Sequence, residues 1–246
     1  MDRMLYLAMS GAKETMQAQA IATNNLANVN TTGFKADLAA ARSMPVFGEG
    51  QPSRVYAMAE RPGINFEHGT AQFTGNELDF AINGNGFIAV QAPDGSEAYT
   101  RRGDMKINAS GLLENGAGQL ILGDGGPIAI PPSEKIELGV DGIVSVRPLG
   151  QAANTLAQVD RIKLVNPQIS DIEKGEDGLF RMKDGSNAQA DAVVEIIPGS
   201  LEGSNVNAVS EMVNMINLQR RFEMEIKAMK SVEENDSAAA QIMRLA

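Results

Sequence analysis

The distribution of glycine and proline is the feature that most constrains the fold of this 246-residue chain. Residues 1–44 contain no proline and only Gly11 and Gly33, and residues 204–246 contain neither residue type. Most of the 25 glycines lie in the segment between these two ends. Glycine and proline interrupt helices and favour turns. The sequence therefore predicts two helical ends around a turn-rich centre.

Small and apolar residues recur at alternating steps of three and four along the first end. The stripe consists of Leu5, Ala8, Ala12, Thr15, Gln19, Ala22, Leu26 and Val29, and Met9 and Met16 widen it. This is the spacing of a heptad seam, which packs against another helix. Because its small side chains bury little area, we expect the helix to be marginal alone and to order with a partner. The run from Asn28 to Phe34 is expected to end it, since Gly33 accepts a positive φ.

The last segment has the same spacing. Its stripe consists of Met212, Met215, Gln219, Phe222, Ile226 and Met229, and Val232, Ala239 and Met243 extend it. Ser204 or Asn205 is expected to cap this helix, because both residue types accept hydrogen bonds from free helix amides. A helix over the whole segment would be longer than a compact domain of this size normally encloses, so we expect it to project.

The centre, from about residue 76 to residue 200, combines short apolar stretches with turn signals. The apolar stretches are 87–90, 119–122, 128–130, 143–146, 162–165 and 193–197. Asp94-Gly95 and Asp141-Gly142 are dipeptides that accept the positive φ of hairpin turns. This pattern predicts a β-sandwich or a barrel-like module. Residues 36–75, which contain three prolines, are expected to form an extended connector packed along the helices.

Composition argues against most chemical functions. The chain has no cysteine, and His68 is its single histidine, so thiolate and histidine metal sites are excluded. The ends are nearly neutral, and the centre carries the net charge of −10. Binding to a nucleic-acid backbone or to an anionic membrane surface needs a local excess of basic residues instead. We expect no catalytic, cofactor-binding or metal-binding residues, no nucleic-acid partner and no direct membrane insertion.

Two further patterns have unremarkable interpretations. The glycines at 84–86 and 123–126 suggest phosphate loops, but neither run leads into a helix or into Gly-Lys-Ser/Thr, so hairpin turns are favoured. The N-terminus lacks the basic and apolar regions of a signal peptide, and 18 consecutive apolar residues occur nowhere. We therefore expect neither a Sec-cleaved leader nor a membrane span.

Two motifs carry a family resemblance. The segment from Asn24 to Lys35, Asn-Asn-Leu-Ala-Asn-Val-Asn-Thr-Thr-Gly-Phe-Lys, resembles the N-terminal signature of bacterial flagellar axial proteins of the rod and hook. The run from Gly203 to Asn207, followed by Met-Val, Met-Ile and Arg-Phe-Glu, resembles their C-terminal signature. The opening residues and the stretch 177–181 look most like the proximal-rod members. A distal-rod or hook-type protein of the same family remains the alternative.

The resemblance implies a structural subunit without catalysis and an α+β fold. Its terminal helices, residues 1–35 with 204–246, would pair as a coiled coil, residues 36–75 would connect, and residues 76–203 would form an outer, mainly-β domain. The implied partners are copies of itself, other flagellar rod proteins and the flagellar type III export apparatus, which needs no cleavable signal. The implied location is the basal-body rod within the periplasm, where helical polymers transmit torque from motor to hook.

The resemblance also implies where assembly contacts lie, namely on the two helical stripes and in the N-terminal signature. The expected assembly residues are Leu5, Ala8, Met9, Ala12, Met16, Ala22, Asn25, Leu26, Asn28, Val29, Gly33, Phe34, Met212, Met215, Gln219, Phe222, Ile226 and Met229. Since the helices are thin in core, we expect folding of the N-terminal helix to be coupled to assembly.

Two classes of function compete with this interpretation. A polysaccharide-acting β-protein would need two facing carboxylates in a cleft. A surface adhesin or phage-tail-like module would place a ligand site on the β-domain and use the helices as a stalk. Neither alternative accounts for heptad spacing at both ends of the chain.

Overall fold

The structure, a computed structural model, describes residues 4–45, 55–59, 63–150 and 156–245. Two helices enclose a mainly-β middle, which confirms the predicted arrangement of secondary structure. Parts of the predicted connector, residues 46–54 and 60–62, lie outside the described residues. The same holds for the side chains of Ala239 and Met243, which the sequence placed on the second stripe.

The two helices occupy the breaker-poor ends. Helix α1 spans Met4–Ala27 and helix α2 spans Ala208–Leu245. The chain leaves α1 through the expected run, in which Gly33 has a φ of +67°. With 38 residues, α2 is about 57 Å long at 1.5 Å per residue.

Helix α2 begins beyond the predicted caps. Asn207 Oδ1 accepts a hydrogen bond from the Ser210 amide at 3.1 Å, which makes Asn207 the capping residue. The prediction of Ser204 or Asn205 was wrong, because the chain has not yet entered the helix there. The Asn205 side-chain amide donates to the Glu67 carbonyl oxygen at 3.0 Å instead.

The middle consists of short strands separated by turns. Those up to residue 100 are β1 (Asp37–Leu38), β2 (Ala41–Pro45), β3 (Val55–Ala59), β4 (Gly63–Ile64), β5 (Ala71–Phe73), β6 (Phe80–Asn83), β7 (Phe87–Gln91) and β8 (Glu97–Thr100). Those up to residue 148 are β9 (Met105–Ile107), β10 (Leu113–Asn115), β11 (Leu120–Gly123), β12 (Gly126–Pro127), β13 (Ser133–Leu138) and β14 (Ile143–Pro148). The remaining strands are β15 (Ala157–Arg161), β16 (Leu164–Val165), β17 (Ile172–Lys174), β18 (Phe180–Met182), β19 (Glu195–Pro198) and β20 (Ser200–Glu202). A short 3-10 helix spans Ile169–Asp171.

The strands pair antiparallel in several sheets. A nine-stranded sheet follows the order β17-β18-β8-β7-β11-β10-β9, with β12 beside β11 and β16 beside β7. A three-stranded sheet has the order β13-β14-β15, and two-stranded ladders join β6 to β19 and β5 to β20. Within the described residues none of these sheets closes on itself, so the barrel-like alternative was wrong.

One hydrophobic core joins the nine-stranded and the three-stranded sheet. Val90 and Ile121 enter it from the large sheet, and Val144 and Val146 enter it from β14. Alternate side chains of β14 are fully buried, as expected for a strand with one face on a core. The two sheets therefore contribute side chains to the same core.

The chain divides into two compact units. The helical unit takes in Met1–Val29, Lys35–Phe66 and Val206–Ala246, and the β-rich unit takes in Asn30–Phe34 and Glu67–Asn205. In the helical unit, β1 pairs with β4, and β2 pairs with β3. The residues predicted as a connector thus contain paired strands.

Candidate functional site

In the helical unit, α1 packs lengthwise against α2. Asn25 near the end of α1 contacts Glu211 near the start of α2, and Thr15 contacts Glu225. Because the partner on α2 moves backwards as α1 advances, the two helices run antiparallel.

Asn25 joins three segments of the helical unit. Its side chain is buried, with 3% exposed. Nδ2 donates to the Asp37 carbonyl oxygen and to Glu211 Oε1, both at 2.8 Å. Oδ1 accepts a hydrogen bond from the Asp37 amide at 2.9 Å. One side chain therefore ties α1 to α2 and to β1, and both of its donor hydrogens are used.

A second polar contact lies further along the helix pair. Thr15 Oγ1 donates to Glu225 Oε1 at 3.2 Å. A Cβ atom at Gly11 would lie 3.0 Å from the same carboxylate oxygen, so glycine makes room for the Glu225 side chain. Among the described residues, Glu225 Oε2 is buried without a hydrogen-bond partner. The interface between the helices thus contains polar contacts at Asn25 and at Thr15.

The predicted stripe of α1 divides into covered and open positions. Ala12, Thr15 and Ala22 are buried. The half-buried members are Ala8, Gln19, Leu26 and Val29, and Asn28, which was expected as an assembly residue outside the stripe, is also half-buried. The open members are Leu5, Met9 and Met16, which are exposed. The fully buried members are all small, whereas Leu5 and both methionines are exposed.

On α2, the heptad spacing is present but the stripe is shifted. The half-buried positions at steps of three and four are Ala208, Glu211, Met215, Leu218, Phe222, Glu225, Met229 and Val232. Met215, Phe222 and Met229 belong to the predicted stripe, and Ile226 is also half-buried. Met212 and Gln219 were predicted on this stripe but are exposed. Glu211 and Glu225 hold inner positions because Asn25 and Thr15 donate hydrogen bonds to them.

Large apolar side chains remain exposed on both helices. We name this set the outer apolar surface: Leu5, Tyr6, Met9 and Met16 of α1, and Val209, Met212, Val213, Ile216 and Met224 of α2. Large apolar side chains that are exposed near one another can mark a contact with another molecule.

Residues 30–34 of the N-terminal signature belong to the β-rich unit. The Gly33 amide donates to the Glu202 carbonyl oxygen at 2.7 Å. A Cβ atom at Gly33 would lie 2.4 Å from the Arg101 carbonyl carbon, a distance that no side chain tolerates. The Lys174 ammonium lies 4.2 Å from the centre of the Phe34 ring, within cation–π range. Gly33 and Phe34 were predicted as assembly residues, and here they make contacts within the chain.

A buried ion pair involves the same two residues that contact Gly33. Arg101 Nε donates to Glu202 Oε2 at 2.6 Å, and both side chains are almost fully buried. The guanidinium also donates to the carbonyl oxygens of Gly84 and Gly86 at 2.9 and 2.8 Å. Residues 84–86 therefore form a turn whose carbonyl oxygens bind the Arg101 guanidinium. This agrees with their interpretation as a turn and not as a phosphate loop.

Several titratable side chains in the described residues form hydrogen bonds within the chain. Nowhere in those residues do three His, Cys, Asp or Glu side chains come together as metal ligands, and His68 is exposed. Lys163 Nζ donates to both Glu97 oxygens at 2.7 and 2.9 Å, and the Tyr99 hydroxyl donates to Glu97 Oε1 at 3.0 Å. Burial raises the pKa of Tyr99 to about 12. No helix in the described part of the chain is long and apolar enough to span a bilayer.

Three family models match along the chain. Residues 5–35 match the flagella basal body rod protein family, residues 81–146 match the D1 domain of flagellar hook protein FlgE/F/G, and residues 197–242 match the C-terminal domain of flagellar basal body rod FlgEFG proteins. The helical ends and the β-rich middle thus all have counterparts in the axial proteins of the flagellum.

Individual relatives show which of the flagellar axial proteins this chain is similar to. The flagellar basal-body rod protein FlgF of Escherichia coli (strain K12) is 41% identical over 100% of both chains. FlgF of Caulobacter vibrioides is 35% identical over 98% of both, and FlgG of Buchnera aphidicola subsp. Schizaphis graminum is 30% identical over 94% of this chain and 95% of its own. The chain therefore belongs to the FlgF family of flagellar basal-body rod proteins, and the resemblance seen in its motifs is confirmed.

Sequence reasoning missed the residues that hold the helices and the signature in place. These are Asp37, Arg101, Glu202, Glu211 and Glu225. All are charged, and local patterns assign charged residues to the surface. The sequence contained one signal for two of them. Glu211 and Glu225 each lie seven residues from Leu218, and their carboxylates can accept hydrogen bonds from polar residues of α1.

Proposed function

We propose that this protein is a non-catalytic structural subunit of the flagellar basal-body rod and that it assembles through its two helices. The observation that carries the proposal is the outer apolar surface. Its side chains remain in water after α1 and α2 have packed together, so association with further helices would bury them. Contacts of this kind that do not close on themselves generate helical polymers.

The finer features of the function are part of the proposal. The paired helices would form a coiled coil, supported by the steps of three and four among the half-buried positions of α2. The assembly domain would comprise residues 1–35 with 204–246, the connector 36–75 and the outer domain 76–203. The partners would be copies of this chain, other rod proteins and the type III export apparatus, and the subunit would reside in the periplasmic part of the rod.

A position in the proximal rod is favoured over the distal rod. FlgF of Escherichia coli and of Caulobacter vibrioides share 41% and 35% identity with this chain, and within Buchnera aphidicola subsp. Schizaphis graminum FlgF shares 31% and FlgG 30%. Labelling the protein in isolated basal bodies tests the position. A label next to the inner-membrane ring supports the proposal, and a label along the distal rod supports the alternative.

Replacement of Leu26 by Asp tests assembly through the helices. Leu26 is half-buried in the helical unit, and a carboxylate there would lose hydration without gaining a partner. We expect rod incorporation to fall at least about tenfold, as a loss of about 1.4 kcal/mol in subunit affinity would give, and motility to fall with it. The measurement is swimming in soft agar and recovery in basal bodies, in a strain that lacks its own copy.

Val193→Asp is the matched control for the same added charge. Val193 lies in the β-rich unit and is 84% exposed, so this variant should swim normally. Normal rod incorporation of Leu26→Asp would contradict assembly through this part of α1.

A further inference from the structure

Asn25 occupies a position on α1 at which a purely apolar contact would leave the alignment of the two helices undetermined. The inner stripe of α2 repeats every seven residues from Ala208 to Val232. Sliding α2 by one repeat, about 10.5 Å, would again place inner residues against α1. The small residues of the α1 stripe, such as Ala12 and Ala22, offer little shape to resist this shift.

The polar contacts do distinguish the two alignments. In the structure, Asn25 meets Glu211 and Thr15 meets Glu225, which lie two repeats apart on α2. After a shift by one repeat, Leu218 would stand where Glu211 stands, and Val232 where Glu225 stands. Both donors on α1 would then face apolar side chains, and Asn25 would keep only its contacts to Asp37. A buried donor without an acceptor is strongly disfavoured.

We propose that Asn25, held by Asp37 and satisfied by Glu211, sets the axial register of α1 against α2, with Thr15 and Glu225 as a second point of the same alignment. A single polar residue inside a helix pair is known to specify register in this way. Asn25 is a positioning residue: it decides which outer side chains of α1 lie beside which outer side chains of α2. That the register matters for assembly rests on the proposed function, whereas the register itself does not.

Engineered disulfides can report the register because the chain contains no cysteine. Thr15→Cys with Glu225→Cys reports the observed alignment, and Thr15→Cys with Val232→Cys reports the shifted one. Each pair is placed in the full-length chain and oxidised in cells that assemble rods, because the helices are expected to be incompletely formed in dilute monomer. Disulfide-linked peptides within one chain are then quantified by mass spectrometry. With Asn25 present, we expect the 15–225 product to exceed the 15–232 product at least about tenfold, as a register preference of about 1.4 kcal/mol would give.

Asn25→Leu is expected to raise the 15–232 product several-fold relative to the 15–225 product. The control is Thr23→Leu, since Thr23 is exposed and its hydroxyl bonds only to Gln19 of its own helix among the described contacts. That variant should leave the ratio unchanged. An unchanged ratio in Asn25→Leu, or a 15–232 product that dominates with Asn25 present, would overturn the proposal.

A second pair of variants keeps the test decisive if Asn25→Leu fails to accumulate. Asn25→Asp places a carboxylate against Glu211 and should shift the ratio towards 15–232. Adding Glu211→Gln restores a donor opposite the introduced carboxylate, so the native ratio should return. A role limited to helix stability would show no such rescue, and absence of rescue would count against register control. Motility of the same strains separates the two ideas: native register without rod incorporation contradicts the proposed function alone.

Discussion

Gly33 shows at the residue scale how little freedom the end of the N-terminal signature has. Its φ is +67°, and the backbone of Arg101 and Arg102 fills the space that a Cβ atom would need. Its amide is committed to the Glu202 carbonyl oxygen. Glycine is required here both for the backbone conformation and for the close approach, so this signature residue serves the subunit's own fold.

Gly33→Ala should destabilise the β-rich unit more than a change of backbone preference alone explains. Gly95→Ala is the matched control, because Gly95 also has a positive φ, of +84°, but has open space around it. An alanine in the left-handed region costs about 1–2 kcal/mol, and the contact at Gly33 adds to that cost. We expect Gly33→Ala to lose at least about 1 kcal/mol more than Gly95→Ala in urea unfolding. Equal losses would mean that the backbone around Arg101 yields freely.

The buried side chain of Tyr99 predicts, at the same scale, how the free energy of unfolding depends on pH. Burial raises its pKa to about 12 in the folded chain, from 10.0 for the free side chain. A raised pKa means that the folded state holds the proton more tightly, so this contribution is complete below pH 10 and is lost as the pH rises towards 12. The slope is at most about 1.4 kcal/mol per pH unit. The difference in unfolding free energy between wild type and Tyr99→Phe, measured by urea titration from about pH 8 to about pH 11.5, should change with this slope above about pH 10. A flat difference would contradict it.

At the scale of elements, the two helices differ from the strands in how they are held. The strands of the core are fixed by fully buried side chains such as Val90 and Val144. In α1, the buried positions are mostly alanine and threonine, and α2 has no buried residue among those whose side chains are described. Helices that bury so little are stabilised mainly by what packs on them.

Dilute monomer should therefore contain clearly less helix than the 24 residues of α1 and the 38 residues of α2 in the structure. We expect far-ultraviolet circular dichroism of the monomer to report less than about half of this helix, with the remainder forming on polymerisation. Proteolysis should cleave within both helices while the β-rich unit resists. A fully helical, protease-resistant monomer would contradict coupling between folding and assembly.

At the scale of the whole molecule, the two units differ in their hydrophobic cores. The β-rich unit has a large core, and the described residues of the helical unit form no comparable one. The core of the β-rich unit extends from Phe80 to Ile196 and draws on both sheets. The centre also carries the net charge of −10, which favours solubility and opposes unspecific association. The nearly neutral helical ends are suited to contacts with other chains.

Removal of residues 1–30 and 210–246 should separate folding from assembly. Because the core lies between Phe80 and Ile196, we expect the truncated chain to unfold cooperatively in urea, with a midpoint close to that of the β-rich unit in the full chain. It should not enter the rod or restore motility. Rod incorporation of the truncated chain would show that assembly does not need the helices, and loss of cooperative unfolding would show that the core depends on them.

Local sequence determined the parts of this protein that depend on neighbouring residues alone. The lack of glycine and proline predicted the helical ends, and the turn dipeptides and short apolar stretches predicted the strands. The two signature motifs indicated the family. Tertiary structure decided the rest. Glu211 and Glu225 face α1, where the sequence predicted Met212 and Gln219. Asn25 binds Asp37, and the backbone of Arg101 packs against Gly33. Each of these depends on a donor, an acceptor or a backbone segment that is distant in the sequence. A charged residue becomes an inner residue only when such a partner is brought to it, and helical periodicity carries no information about where that partner lies.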